Sequence, residues 1–270
     1  MTMAFDARRR RVVDLLTFFM ECSSSQQVCG VRYTMDHLMV YKNHTVVTAS
    51  GRFRGDRGER GSSMAKFGRP VAAFCRCEKQ ALERLAGLGT ALVTDAMGRF
   101  GALDSRIAAQ WPDARLHGNA FTVWTRAGDN LGIHQALDVA APGDVVIVNG
   151  ERDEGRALIG EMIGIKAKAR GIAGFVLDGA ARDIDALRIL GVPVFARAAT
   201  PAGPFKHGPF QLLQPTAVGG VCVFPGDAVI ADRDGVAVVA RSSLDETLTR
   251  ADELASAEAD KRIANAKPIR

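Results

Sequence analysis

Arg182 and Asp183 are adjacent residues whose types suit chemistry on a bound anion. They close residues 171–184, which read G-I-A-G-F-V-L-D-G-A-A-R-D-I. Residues 173–177 are an apolar run of strand length, Asp178-Gly179 reads as its end, and a helical pattern starts just after the pair. A strand that stops at a glycine turn and delivers an Arg-Asp pair can build a site at the edge of an α/β sheet. The carboxylate offers hard oxygen to a divalent cation, and the guanidinium offers a planar fork for a carboxylate or an enolate. The structural alternative is a pair at a helix start, with Asp183 capping the first turn.

The flanking segments supply elements able to position the pair. Residues 79–88 and 90–100 read as helices, the second with Leu92, Val93, Ala96 and Phe100 apolar and Gly101 ending it. Residues 118–125 alternate as a strand. Residues 130–140 form a helix with Leu131, Ile133, Leu137 and Val139 as its apolar positions. Pro142-Gly143-Asp144 is a turn, and residues 145–148 are a buried β-branched strand. A polar loop over 149–155 then leads to a helix that begins near Arg156 or Gly160 and ends at Arg170, with Gly171 as its C-cap. The strand at 175–177, a helix from the pair to Leu190 closed by Gly191, and a strand at 193–196 complete a parallel β-α-β-α-β core. From Val218 onward, short alternating runs separated by Pro-Gly-Asp and Asp-Gly read as antiparallel strands. A long last helix follows, opened by Ser243 and Glu246 at the spacing of a capping box.

The 270 residues carry a net charge of +5, but residues 1–70 hold +6 and the remainder −1. The arginine block 8–11 and the Gly/Arg run over 51–63 mark a basic extension, with the run reading as a disordered linker. Within it, residues 12–20 fit a short helix and 45–48 a short strand. The expected division is therefore an extension over 1–70 and an α/β domain over 71–270, with Met64 as a candidate natural start. A basic segment can bind nucleic acid, yet no RNA-recognition motif accompanies this one. The apolar run 15–20 is short and is followed by Glu21-Cys22 instead of a cleavage site, so the cytoplasm is expected. No run has the length of a membrane span. Five cysteines (22, 29, 75, 77 and 222) without C-x-x-C spacing argue against a disulfide framework and a zinc site.

Residues from about 78 to 265 resemble the family that contains the ribonuclease E inhibitor RraA and the class II 4-hydroxy-4-methyl-2-oxoglutarate/4-carboxy-4-hydroxy-2-oxoadipate aldolases. The matching pieces are T-D-A-M (94–97), G-D-N-L (128–131), P-G-D-V-V-I-V (142–148), G-E (160–161), G-F-V-L-D-G-A-A-R-D (174–183), P-V-F-A-R (193–197), G-G-V-C-V-F-P-G-D (219–227) and A-D-R-D-G-V (231–236). The resemblance implies a swivelling β/β/α domain that assembles as a homotrimer, or a hexamer by doubling.

For the site, the resemblance implies Mg²⁺ or Mn²⁺ at Asp183, held largely through waters, with Arg182 on the pyruvate unit. It implies Glu161 as the carboxylate that holds a catalytic water. Substrate would lie at Gly160 and at the backbone N–H groups of Met162 and Ile163, since a helix start suits a carboxylate. A Glu from the last helix of the adjacent subunit completes such sites, and spacing makes Glu258 the candidate. Leu244, Leu248, Ala251 and Ala255 form one stripe of that helix and Glu258 continues it, whereas Glu253 is the alternative on another face. The bland reading of Glu258 is a solvated helix end.

Other polar residues have structural readings. His134 reads as a packed or hydrogen-bonded histidine, His117 and His207 as loop residues, Asp95 as a cap or interface residue, and Asn130 equally as a cap or as a residue that reaches the site loop. Asp178 reads as a residue that orders the Arg182 turn.

Three functions compete: a metal-dependent aldolase that releases pyruvate and also decarboxylates oxaloacetate, a non-catalytic regulator that binds ribonuclease E, and a nucleic-acid binder. The inhibitor lacks the Asp of the pair, whereas Asp183 and Glu161 are both present here, which favours the enzyme and a small 2-oxo acid as substrate. No glycine-rich nucleotide loop follows a first strand. The loop 149–155 and residues 206–208 are where recognition of the rest of the substrate would vary.

Overall fold

The computed structural model describes residues 40–42, 45–47 and 74–265. The expected helix over 12–20, the linker over 51–63 and the start at Met64 lie outside the described residues. The chain divides into two units, Met1–Ser62 and Ser63–Arg270. In the first, β1 (Val40–Lys42) and β2 (Thr45–Val47) pair antiparallel, β2 falling where a strand is expected.

In the second unit a mixed sheet runs in the order β12 (Gly235–Val239), β11 (Ala228–Asp232), β4 (Leu116–Thr125), β5 (Asp144–Ile159), β6 (Gly174–Ala181), β7 (Val194–Ala199) and β3 (Ala108–Ala109). Its parallel centre is β4, β5, β6 and β7. Antiparallel flanks are β11, β12 and the short β3, and β8 (Phe210–Leu212) adds to β4. Each parallel crossover is one helix: α3 (Leu131–Val139), α4 (Glu161–Ala169) and α5 (Ile184–Leu190). With strands in sequential order, right-handed crossovers put all three helices on one face.

The sequence alternation matches this. Phe121, Val123, Val146, Val148, Phe175 and Leu177 pack with Ile133, Leu137, Ile163 and Leu187 of the helices. Their neighbours Ala120, Val145, Ile147, Val176 and Phe195 face the other way, against Val218 of β9 (Thr216–Val218) and Val223 of β10 (Val221–Val223). Burying each of Phe121, Phe175 and Phe195, all fully enclosed, contributes about 2–3 kcal/mol by area. A third cluster sets α1 (Lys79–Leu88), α2 (Thr90–Ala96) and α6 (Leu244–Asn265) against β11 and β12. The mixed α/β sheet with parallel β-α-β units, antiparallel C-terminal strands and a last helix is the expected fold.

Several boundaries differ from expectation. The second helix stops at Ala96 and not near Phe100, because Gly98 and Arg99 turn left-handed (φ 69° and 71°), leaving Phe100 80% exposed. Val139, expected on the apolar face of α3, is 49% exposed, and Ala136 is buried instead. The segment 149–155 belongs to β5, not to a free loop: it stays paired to β6 through three register shifts and turns at Glu151 and Arg152, both at positive φ. Asp178-Gly179 does not end the third strand, which runs on to Ala181. His117 lies on β4, not in a loop. Ser243 forms no capping box, since its hydroxyl donates to Ala240 O at the end of a 3₁₀ turn. Gly171 closes α4 as expected, with Ile172 N–H donating to Ala167 O and Gly171 N–H to Lys168 O.

One anchor of the sheet had no local signal. Arg76 grips the wholly buried Asp144 with two hydrogen bonds of 2.7 and 2.8 Å, and its guanidinium stacks 4.1 Å above Phe74. Removing one partner of a buried pair strands the other charge. We expect Arg76→Met to destabilise the domain by about 2–3 kcal/mol, read from the urea midpoint at unchanged slope. An unchanged midpoint would assign the pair no net role.

Candidate active site

The carboxyl ends of β4, β5, β6 and β7 come together, the usual position for a site on a parallel sheet. A cleft of about 140 Å³ there is lined by residues from all four connections, including Asn130, Gly160, Met162, Ile163, Arg182 and Lys206. The structure thus gathers all four predicted substrate-site residues, Gly160, Met162, Ile163 and Arg182, at one cleft and sets the carboxylates of Glu161 and Asp183 beside it.

The Arg-Asp pair leaves β6 through a strained turn. Asp183 adopts left-handed backbone (φ 56°, ψ 41°), a conformation that Asp and Asn tolerate better than other L residues. It stands at the N-cap of α5 but makes no side-chain cap there, which removes the capping alternative. Its Oδ2 instead accepts the N–H of Glu161, at 3.0 Å, at the start of α4. The pair therefore ties together two successive helix starts, 22 residues apart in sequence.

Gly160 is required by this approach. A Cβ there would stand 2.9 Å from Arg182 Cγ and closer still to Asp183 Oδ2. Gly203 gives room on another side, its Cβ position lying 3.2 Å from Arg182 Nη1. The one carboxylate that pairs with Arg182 among the described residues is Asp183, with Nε–Oδ2 at 3.5 Å, and both side chains are 41% exposed. The fork is thus available to a bound anion. Glu161 is exposed at the first position of α4, and the N–H groups of Met162 and Ile163 belong to a first turn that has no carbonyl partners of its own.

A divalent cation fits this donor set in one form. Among the described residues no cluster of three or more His, Cys, Asp or Glu could cage a metal. A half-exposed Asp183 beside an exposed Glu161 suits Mg²⁺ or Mn²⁺ that keeps several waters and takes substrate oxygens.

Of the two readings of Asn130, the structure favours the one at the site: its side chain makes no cap, and it lines the cleft. It is 3% exposed, its Nδ2 donates to Leu158 O at 3.0 Å, and its Oδ1 has no partner in the structure. The Leu158 carbonyl fixes the amide orientation, so an acceptor is left over at the cleft. His134 lines the cleft instead of being only packed; burial, then Lys206 and Lys166, hold its pKa below the ordinary value. Lys206, in the segment 206–208 where recognition is expected to vary, follows the last parallel strand and so reaches the shared end. Asp178 does not order the Arg182 turn. It is buried, paired with Arg197, and accepts Gly219 N–H at 2.9 Å. Asp95 pairs with Arg99 on the surface.

Glu258 lies on α6, pairs with Arg262 at 3.0 Å and is not among the residues lining the cleft of its own chain. The stripe below it is buried only as far as Ala251, so Glu258 stands where the helix has left its own core. Glu253 is exposed nearby.

Fold and cleft define an α/β domain with an open cleft at the carboxyl ends of its parallel strands. The chain belongs to the RraA-like family described as Aldolase/RraA, whose model matches residues 90–238. It is 38% identical over 162 residues to a protein of Halalkalibacterium halodurans named "Putative 4-hydroxy-4-methyl-2-oxoglutarate aldolase", spanning 60% of this chain and 77% of that one. Among solved structures it is similar to Streptomyces coelicolor RraAS2, described as an unusual member of the RNase ES inhibitor RraA family, with TM-score 0.64, 26% identity, 72% of this chain and all of that one covered. It is also similar to the RNA-processing inhibitor RraA from Thermus thermophilis, with TM-score 0.52, 31% identity, and 56% and 92% covered. Among the described residues no helix is long and apolar enough to cross a membrane.

Proposed function

We propose that this protein is a divalent-metal-dependent aldolase that cleaves a 4-hydroxy-2-oxo acid of the 4-hydroxy-4-methyl-2-oxoglutarate type to release pyruvate, with oxaloacetate decarboxylation as a side activity. The observation that carries the reading is the left-handed Arg182-Asp183 turn locked onto the start of α4 at an open cleft. The α4 N-terminus, with Met162 and Ile163 N–H, receives the pyruvyl carboxylate. Asp183 would hold the divalent cation, which when bound would supply Lewis acidity toward the 2-keto group. Arg182 stabilises the negative charge that grows as the C3–C4 bond breaks and its electron pair moves into the enolate. The 4-hydroxyl proton leaves to a water held by Glu161, the C4 fragment departs as a carbonyl, and protonation of C3 completes pyruvate. Oxaloacetate reaches the same enolate by loss of CO₂, with no hydroxyl proton to remove. Lys206 adds a second cation to the cleft and matches a substrate with a second carboxylate.

The test is pyruvate release from a panel of 4-hydroxy-2-oxo acids and from oxaloacetate, with Mg²⁺ or Mn²⁺ and with chelator. Metal-dependent release supports the aldolase; none from any member would favour the second reading, a non-catalytic partner of ribonuclease E, which rests on the likeness to the RraA structures.

The active unit is a homotrimer or hexamer whose neighbour supplies Glu258. Support comes from Met162 and Ile165 on α4 and Ile189 on α5, apolar side chains 75%, 44% and 85% exposed on the two helices that carry the site. If Glu258 completes the next subunit's site, inactive Asp183→Ala and Glu258→Ala proteins regain activity when dissociated and reassembled together, because some interfaces then hold both intact residues. Glu258→Ala should also damage aldol cleavage more than oxaloacetate decarboxylation. A fully active monomer, or no rescue in the mixture, returns Glu258 to a solvated helix end.

A further inference from the structure

The connection that carries Lys206 is held from two sides by residues the proposed chemistry does not use. Asp129 is completely buried, yet among the described residues its one cationic neighbour is Arg126, at 3.7 Å. Its Oδ2 accepts His207 N–H at 2.7 Å and Gly208 N–H at 3.0 Å, and its Oδ1 accepts Leu131 N–H at 3.0 Å. Burial pushes this carboxyl up, but the three N–H donors, with Arg126, outweigh burial and leave the pKa below the ordinary value. Phe205 is tied to the same turn through its N–H to Gly128 O (2.8 Å) and its carbonyl from Asn130 N–H (3.0 Å). At the other end, Arg156 donates to Gly203 O at 2.9 Å and lays its guanidinium 4.1 Å from the Phe205 ring centre. Both neighbours of Lys206 are therefore fixed while its exposed side chain lines the cleft.

We propose that Asp129 and Arg156 are positioning residues that hold the 203–208 connection so that Lys206 selects substrates bearing a distal carboxylate. This rests on the aldolase reading, because it assigns Lys206 the far end of a 2-oxo acid. A buried carboxylate suits the task because its oxygens only accept, so two consecutive loop N–H groups converge on one atom. An amide cannot replace it: whichever way Asn is turned, its NH₂ meets either the loop donors or Leu131 N–H.

The experiment is calorimetric titration of the full chain, with Mg²⁺ present, using 2-oxoglutarate and 2-oxopentanoate. The two acids have five carbons and differ in the distal carboxylate, and neither carries a 4-hydroxyl to cleave. Wild type is expected to prefer 2-oxoglutarate by roughly tenfold, the worth of one charge-assisted contact. Lys206→Met should erase that preference. Asp129→Asn should erase it to the same extent while leaving 2-oxopentanoate within about twofold, and should add nothing to Lys206→Met, since coupled residues are not additive. Arg156→Lys keeps the charge but loses the planar stack and fixed donor, so it should lower the preference by about threefold or more; it decides the matter if Asp129→Asn does not fold. Equal weakening of both acids in Asp129→Asn, or an undiminished preference in Arg156→Lys, overturns the proposal while the aldolase reading stands. Wild type that binds neither acid overturns both.

Discussion

Asp183→Ala is expected to lose pyruvate release down to the level of chelator-treated wild type, a fall of roughly a thousandfold or more. The side chain supplies the hard anionic oxygen proposed for the cation, and no second cluster among the described residues could replace it. The substitution also acts on the backbone. Alanine at φ 56° costs about 1–2 kcal/mol relative to a right-handed residue, and the acceptor for Glu161 N–H disappears with the carboxylate. Asp183→Asn separates the two effects. It tolerates the left-handed turn and keeps an oxygen for Glu161 N–H, but surrenders the charge. Turnover should fall steeply in both variants, while only the alanine protein should show a lower urea midpoint. Coupled assay of pyruvate alongside denaturation reads both quantities. Full activity in excess chelator, or in Asp183→Ala, would end the assignment of a metal role to this residue.

Arg182→Lys should lower turnover by about a hundredfold or more, as for loss of a donor to a developing oxyanion. Lysine retains the charge but presents a point cation in place of a fork. Arg182 has the marks of a ligand-facing residue: it is 41% exposed, its carboxylate neighbour is 3.5 Å away, and glycines at 160 and 203 clear the space it occupies. Since that contact is exposed and long, stability should change little. The loss should appear in kcat for aldol cleavage and for oxaloacetate decarboxylation alike, because both pass through the enolate. Activity within twofold of wild type would make Arg182 a structural residue.

What could be read from sequence was what short-range pattern controls. Residues 79–88 form α1 with the expected bounds, Gly171 and Gly191 close their helices, and the Arg-Asp pair stands at the start of α5. Interactions across long separations were not legible. Asp129 directly precedes the helix expected over 130–140 and does accept Leu131 N–H there, yet the two N–H groups that converge on its Oδ2 are 78 and 79 residues away. Arg76 and Asp144, 68 residues apart, gave no hint of each other. The far half of β5 was hidden for another reason: Glu151, Asp153 and Glu154 carry loop composition, and the strand there follows β6 only through bulges. Lys206 could have been found, since a cation one connection beyond the last parallel strand belongs at the same end as Arg182. Ser243 misled because its hydroxyl was already committed to the preceding turn.

The sequential strand order has an evolutionary consequence. Each parallel strand delivers its own connection to the shared end, so the residues proposed to react and the residue proposed to select arrive on separate stretches of chain: Glu161 after β5, Arg182 and Asp183 after β6, Lys206 after β7. Such a layout is modular. On the proposed reading, a change at Lys206 alters which acid is accepted without touching the turn after β6, whereas exchange of the whole connection must also keep its ties to Asp129 and Arg156. A new substrate would then need a change at the surface of the cleft, without re-inventing the reaction or disturbing the sheet that carries it.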